Sequence, residues 1–178
     1  MKSVAIYCGS APGARPEYLE SARAIGAELA RRGLTMVYGG ASVGLMGACA
    51  DAALAAGGRV IGVIPQALVD RELAHPALGE IRIVRTMHER KLEMSERADA
   101  FVALPGGFGT MDELFEALTW TQLRIHVKRC GLLDVGGYYQ PLLAWIDHAT
   151  REGFVRTEHR AMLIADPDPA RLLDALAR

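Results

Sequence analysis

A carboxylate beside a glycine-rich turn is the feature of this chain best suited to chemistry. The run Pro105-Gly106-Gly107-Phe108-Gly109-Thr110-Met111-Asp112-Glu113 follows the apolar segment 100–104 and precedes 114–118, which has helical spacing. Strand, glycine turn and helix in that order point several backbone N–H groups at an anion. The expected helix carries Glu113 in its first turn, about 5 Å of axial rise beyond Thr110. A phosphate cradle with an acid beside it suits chemistry on a phosphorylated small molecule. Thr110-x-x-Glu113 also has the form of a capping box, with Thr110 as N-cap and Glu113 returning to its backbone N–H. Spacing alone leaves both roles open.

Three more segments belong with it. Met87-His88-Glu89-Arg90-Lys91 reads as the opening of a helix, which places Met87, Arg90 and Lys91 on one face. Two cations there oppose the helix dipole, a conflict often retained for function, although a solvated charged turn is the plainer alternative. Arg90 is the stronger candidate, because guanidinium binds oxyanions bidentately. In Tyr38-Gly39-Gly40-Ala41-Ser42-Val43-Gly44-Leu45-Met46-Gly47, residues Gly39, Gly40 and Gly44 either admit a ligand close to the backbone or simply make the turn. Ser10, after the first strand, is a candidate contact, and the neighbouring Cys8 reads as a small buried apolar residue rather than a nucleophile.

These segments resemble a known family, the Lonely Guy proteins or cytokinin riboside 5'-monophosphate phosphoribohydrolases. Residues 105–113 match its signature Pro-Gly-Gly-x-Gly-Thr-x-x-Glu in full, and Met87, Arg90 and Lys91 fill its Met-x-x-Arg-Lys. The 38–47 segment is similar to its YGGGxxGLMG, with Ala41 at the third glycine; a positive φ there would cost about 1 kcal/mol, a negative one nothing. The resemblance implies hydrolysis of the N-glycosidic bond of AMP or a cytokinin riboside 5'-monophosphate, releasing base and ribose 5-phosphate. It implies Glu113 as the catalytic carboxylate, Arg90 as its catalytic or phosphate- and ribose-contacting partner, and Gly106, Gly107, Gly109 and Thr110 as the 5'-phosphate site. Ser10, Gly39, Gly40, Gly44, Met87 and Lys91 complete the expected substrate contacts. No metal, NAD or pyridoxal phosphate is expected. The helix bearing Phe115, Leu118, Trp120 and Leu123 is expected to form a homodimer interface beside the pocket, with Arg124 and His126 able to reach a neighbouring site. A nucleotide-binding regulatory protein without turnover is the alternative. Lysine decarboxylation, an older label for the family, would need a Schiff-base lysine, for which the sequence offers no anchor beyond the presence of lysines.

Composition narrows the classes independently. A chain of 178 residues that is 51% hydrophobic is expected to be one domain, 1–178, with a sizeable core. Twenty Lys+Arg against 21 Asp+Glu leave a formal charge of −1, and the only basic cluster, 126–129, is short. Nucleic-acid binding is therefore not expected, while a local cationic site for one phosphate is. Cys8, Cys49 and Cys130 lack metal-ligand spacing and form an odd set, as suits a reducing compartment. The first apolar run is too short for a signal peptide and no run is long enough to span a membrane, so a cytoplasmic location is expected. The five histidines show no metal-binding pattern, and neither GxGxxG nor a Walker A motif is present.

The elements that must position these residues follow from short, nearly continuous apolar runs separated by helical patterns. Strands are expected at 4–8, 34–38, 59–64, 80–84, 100–104 and 131–135, with a small one at 162–164. Helices are expected at 16–31, 43–56, 86–97, after the glycine turn with Glu113 in the first turn and 114–118 beyond it, 142–151 and 169–176, with an irregular stretch at 66–80 containing a short turn at 67–69. That order predicts an α/β, three-layer Rossmann-like fold: a doubly wound, mostly parallel sheet with helices on both faces. The turns at 9–13, 39–44 and 106–109 would then converge at the carboxyl edge of the strands, where ligands bind in such folds.

Overall fold

The computed structural model describes residues 1–71 and 74–178. Seven strands, β1 (Ser3–Tyr7), β2 (Thr35–Tyr38), β3 (Val60–Pro65), β4 (Glu80–Val84), β5 (Ala100–Ala103), β6 (Cys130–Leu133) and β7 (Leu163–Asp166), form one sheet. Their order is β4-β3-β2-β1-β5-β6-β7, and each neighbouring pair is parallel. The chain winds outward from β1 in one direction and then crosses to β5 to wind in the other. The carboxyl ends of β1 and β5 therefore flank the switch point, where a crevice opens.

The helices are α1 (Pro16–Arg31), α2 (Gly44–Ala55), α3 (Gln66–Val69), α4 (Met87–Arg97), α5 (Phe108–Gln122), α6 (Gln140–Arg151), α7 (Thr157–Arg160) and α8 (Pro169–Leu176). Strands β1, β2 and β3 feed alternate side chains into two separate cores. Ile25 and Leu29 of α1, Leu45 and Cys49 of α2, and Leu172 and Leu173 of α8 pack with Val4, Ile6 and Met36 on one face. Met94 of α4, Leu114 and Ala117 of α5, and Leu143 and Ile146 of α6 pack with Ala5, Val37 and Phe101 on the other. Continuous apolar strands are thus a consequence of being covered twice.

Local signals set the helix ends. Pro16 opens α1, where its missing N–H leaves no donor stranded. After Arg32, Gly33 takes φ +67°, and its N–H and that of Leu34 return to the carbonyls of Ala30 and Leu29. Ile25 and Leu29, both fully buried on this helix, are each worth about 1.5–3 kcal/mol of apolar transfer.

Most expected elements occur within one or two residues of their anticipated ends. Two differ, and the first bears on the site. Helix α5 begins at Phe108, inside the glycine run, with Gly107 as its N-cap and Phe108, Gly109 and Thr110 in the first helical turn. Glu113 consequently lies in the second turn and not the first. Helix α7 was unforeseen, being a single turn of four polar residues with no apolar period. The short turn expected at 67–69 is present as α3 (Gln66–Val69), and residues 72–73 of the irregular stretch fall outside the described ones.

Candidate active site

Three turns meet at the switch point and are tied together through their backbones. The N–H of Gly9, after β1, donates to the carbonyl of Pro105 at 3.1 Å, and the N–H of Leu45 at the start of α2 donates to the carbonyl of Gly9 at 3.1 Å. Gly44 opens α2 at φ +57° with its Cα against the Ser10 backbone. Ser10 itself is exposed at the rim. Gly106 must lack a side chain, since a methyl there would fall 2.0 Å from Thr110 Oγ1 and 2.9 Å from the Gly9 nitrogen.

The start of α5 is uncapped. Gly107 occupies the N-cap position and no side chain accepts from the first turn. Among the described residues, nothing accepts from the N–H groups of Gly106, Gly107, Phe108, Gly109 or Thr110. Gly107 and Gly109 are exposed, while Thr110 is 3% exposed with its hydroxyl free of other partners. Orphan donors at the positive end of a 15-residue helix make an anion site. Thr110 is the third residue of α5, so it is not the N-cap that a capping box requires. The capping box belongs instead to α4, where Thr86 Oγ1 accepts from the Glu89 N–H and the Glu89 carboxylate accepts from the Arg85 N–H.

Arg90 and Glu113 meet beneath this cradle. Arg90 is 6% exposed; its Nε donates to the carbonyl of Val63 at 3.1 Å and its Nη1 lies 3.9 Å from Glu113 Oε1. Met87, half exposed at the crevice, places its Sδ 3.9 Å from the same Nη1. The guanidinium lies flat against the β2–α2 turn: a methyl at Gly39 would fall 1.7 Å from Arg90 Nη2. Gly40 follows at φ +74°, packed on Ile64. Ala41 does not have a positive φ, the one such non-glycine among the described residues being Arg124, so the third glycine of the motif is dispensable here.

Glu113 is 7% exposed, and burial pushes its carboxyl up to about 7. Arg90 pulls it down, Asp112 pushes it up and Lys91 pulls it down, in decreasing order. Lys91 points elsewhere than Arg90. Its ammonium contacts Asp112 at 3.0 Å and Glu116 at 3.0 Å, and these partners raise its pKa against the opposing effect of burial. It is therefore held by carboxylates of α5 rather than standing free in the crevice. Cys8 is buried with its thiol pushed well up by desolvation, as befits an apolar role. Arg124 and His126 lie beyond the far end of α5, away from the cradle of their own chain. Among the described residues, no cluster of three or more His, Cys, Asp or Glu is placed to hold a metal.

Sequence reasoning missed the residues that brace the site from behind. Tyr138 and Tyr139, after β6, donate to the carbonyls of Gly106 at 2.6 Å and Leu104 at 2.5 Å. Asp134 holds that loop by accepting from the Tyr139 N–H at 2.7 Å. His75, 3% exposed, sends its N–H to the carbonyl of Gly40 and its Nε2 to Asp51 at 3.1 Å, fixing the β2–α2 turn. An acid at a strand end before Gly136-Gly137 was a readable signal for the first set. A lone histidine in an irregular stretch carried none.

Comparison with known proteins agrees with this geometry. The family described as "Possible lysine decarboxylase" matches residues 46–176. A probable cytokinin riboside 5'-monophosphate phosphoribohydrolase of Oryza sativa subsp. japonica is 50% identical over 97% of this chain and 70% of its own. A cytokinin riboside 5'-monophosphate phosphoribohydrolase of Arabidopsis thaliana is 47% identical over 98% of this chain and 81% of its own. Among solved structures, the molybdenum cofactor binding protein of Rippkaea orientalis superposes with a TM-score of 0.74 over 99% of this chain and 95% of that one; at 21% identity it shares the fold. With half its residues identical to such relatives over nearly its full length, the chain belongs to the cytokinin riboside 5'-monophosphate phosphoribohydrolase family.

Proposed function

We propose that this protein hydrolyses the N-glycosidic bond of AMP or an N6-modified adenosine 5'-monophosphate such as a cytokinin ribotide. The observation that carries the reading is a buried carboxylate, Glu113, 3.9 Å from Arg90 and one helical turn from the free N–H groups of the cradle. Breaking N–C1' builds positive charge on the ribose, as in glycoside hydrolysis. Ionised Glu113 stabilises that charge, holds ribose hydroxyls, and orients the attacking water. The cradle and Arg90 hold the 5'-phosphate, so that remote binding energy aligns C1'. A regulatory protein that only bound the anion would gain nothing from burying a carboxylate beside it.

Decarboxylation of lysine would need pyridoxal phosphate on a neutral, accessible lysine. The chain has three lysines, and Lys2 and Lys128 precede β1 and β6, at the edge of the sheet opposite the cradle. Lys91 is clamped between two carboxylates that keep it protonated. The residues present do not fit that cofactor.

The substrate test is to incubate purified protein with AMP, N6-isopentenyladenosine monophosphate, GMP, CMP and the matching nucleosides, and to separate the released bases. Base should appear from adenosine-type monophosphates and not from nucleosides. No release from any monophosphate, or adenosine cleaved better than AMP, would overturn the reading. Two further readings go with it: the protein acts as a homodimer through the face of α4, α5 and α6, and it works in the cytoplasm.

A further inference from the structure

Three consecutive carbonyls leading into the cradle are each held by a donor, two from the loop after β6 and one from the turn after β1. Leu104 accepts from the Tyr139 hydroxyl at 2.5 Å, Pro105 from the Gly9 N–H at 3.1 Å, and Gly106 from the Tyr138 hydroxyl at 2.6 Å. A trans peptide is planar and its N–H points opposite to its carbonyl. Holding the Gly106 oxygen therefore sets the direction of the Gly107 N–H, the first donor of the orphan set at α5. Without that anchor, a glycine–glycine peptide can rotate at little cost.

The direction is informative. Tyr138 approaches from the α1 side, where its ring meets Tyr18 edge-on with centroids 5.8 Å apart and Arg15 lies over Tyr18. Arg90 and Glu113 lie on the opposite face of the sheet, with α4 and α5. A carbonyl turned toward Tyr138 sends the adjoining N–H the other way, away from the α1 side. The tyrosine pair is itself fixed by Asp134 and by the left-handed Gly136 and Gly137, at φ +56° and +75°. Tyr139 is 1% exposed and belongs to the core, whereas Tyr138 is 39% exposed and can lose its hydroxyl without unpacking anything.

We propose that Tyr138 is a positioning residue of the anion site: through its bond to the Gly106 carbonyl it aims the Gly107 N–H at the phosphate of the substrate. This rests on the reading of the 106–110 turn as a phosphate cradle. It does not depend on which glycosidic bond is cleaved.

Tyr138→Phe removes the hydroxyl and keeps the ring against Tyr18 and Tyr139. Calorimetric titration with ribose 5-phosphate should show Kd raised about three- to tenfold, the worth of one hydrogen bond. With AMP, kcat/KM should fall by at least a similar factor, because the phosphate contact persists in the transition state and part of its binding energy aligns C1'. Tyr139→Phe is the contrast: its melting temperature should fall further, with less effect on Kd. An unchanged Kd in Tyr138→Phe, or a Kd that tracks melting temperature across both variants, would overturn the positioning role. Failure of wild-type protein to bind ribose 5-phosphate would overturn it together with the cradle. Binding weakened as expected in a protein that releases no base would leave this role standing and refute the proposed hydrolysis alone.

Discussion

Glu113 shows at the scale of one residue what burial does to a carboxylate. Its carboxyl is raised from 4.5 to about 7, first by desolvation. A folded-state value above the unfolded one means that the fold binds the proton more tightly. Ionised Glu113 thus opposes folding above pH 7, and the opposition fades as pH falls toward 4.5. Glu113→Gln should melt higher than wild type at pH 8, converge with it near pH 4.5, and lose about 10²-fold or more in turnover. Melting curves and kcat on the same preparations check this, and lower stability at pH 8 would contradict it. A capping carboxylate would have behaved in the opposite way, with stability lost and turnover kept. Arg90 is the largest influence lowering the Glu113 pKa. Arg90→Ala should therefore weaken AMP binding and turnover together, and also move the acid limb of kcat/KM to higher pH. A limb that stays in place would separate the two side chains.

At the scale of elements, the glycines do different work that only packing distinguishes. A methyl at Gly39 meets the end of the Arg90 side chain, whereas one at Gly47 would fall 2.1 Å from the Ser42 carbonyl. Gly39→Ala should leave melting nearly unchanged and reduce kcat/KM about tenfold or more by displacing the guanidinium. Gly47→Ala should instead destabilise by about 1–3 kcal/mol, since backbone must move. Thermal denaturation beside steady-state kinetics separates them; equal stability losses would show that the β2–α2 turn responds as one unit. Much of this region was legible in the sequence. Strand–turn–helix order placed all three turns on one edge, and the 105–113 run gave both cradle and carboxylate. The start of α5 at Phe108 was not legible, because glycines argue against helix locally. Nor was Lys91's engagement, since Asp112 and Glu116 come from a helix 21 and 25 residues further on. The S/T-x-x-E pattern occurs twice, at Thr86 and Thr110, and sequence alone had no means of telling which of them caps a helix.

The whole molecule is asymmetric in what it leaves bare. None of the large apolar side chains that remain exposed belongs to α1, α2 or α8. On the other face, Leu92 of α4 is 47% exposed, Leu123 at the end of α5 63%, Trp145 of α6 55% and Phe154 beyond it 86%. Between α5 and α6 runs an apolar groove bordered by Phe115, Leu118, Trp145 and Val155, with Phe115 and Trp145 edge-on at 5.9 Å. Exposed apolar side chains gathered on one face beside an apolar groove are the kind of surface a partner covers. A two-fold axis beside α5 would supply one, burying the patch of each copy against the other. The interface would then border the crevice, because α5 also carries the cradle and Glu113. Light scattering over a dilution series should give twice the 19.2 kDa chain mass, and Trp145→Arg should shift the protein toward monomer while raising KM for AMP. Fully active protein at 19.2 kDa would refute the dimer and leave each crevice complete within its own chain.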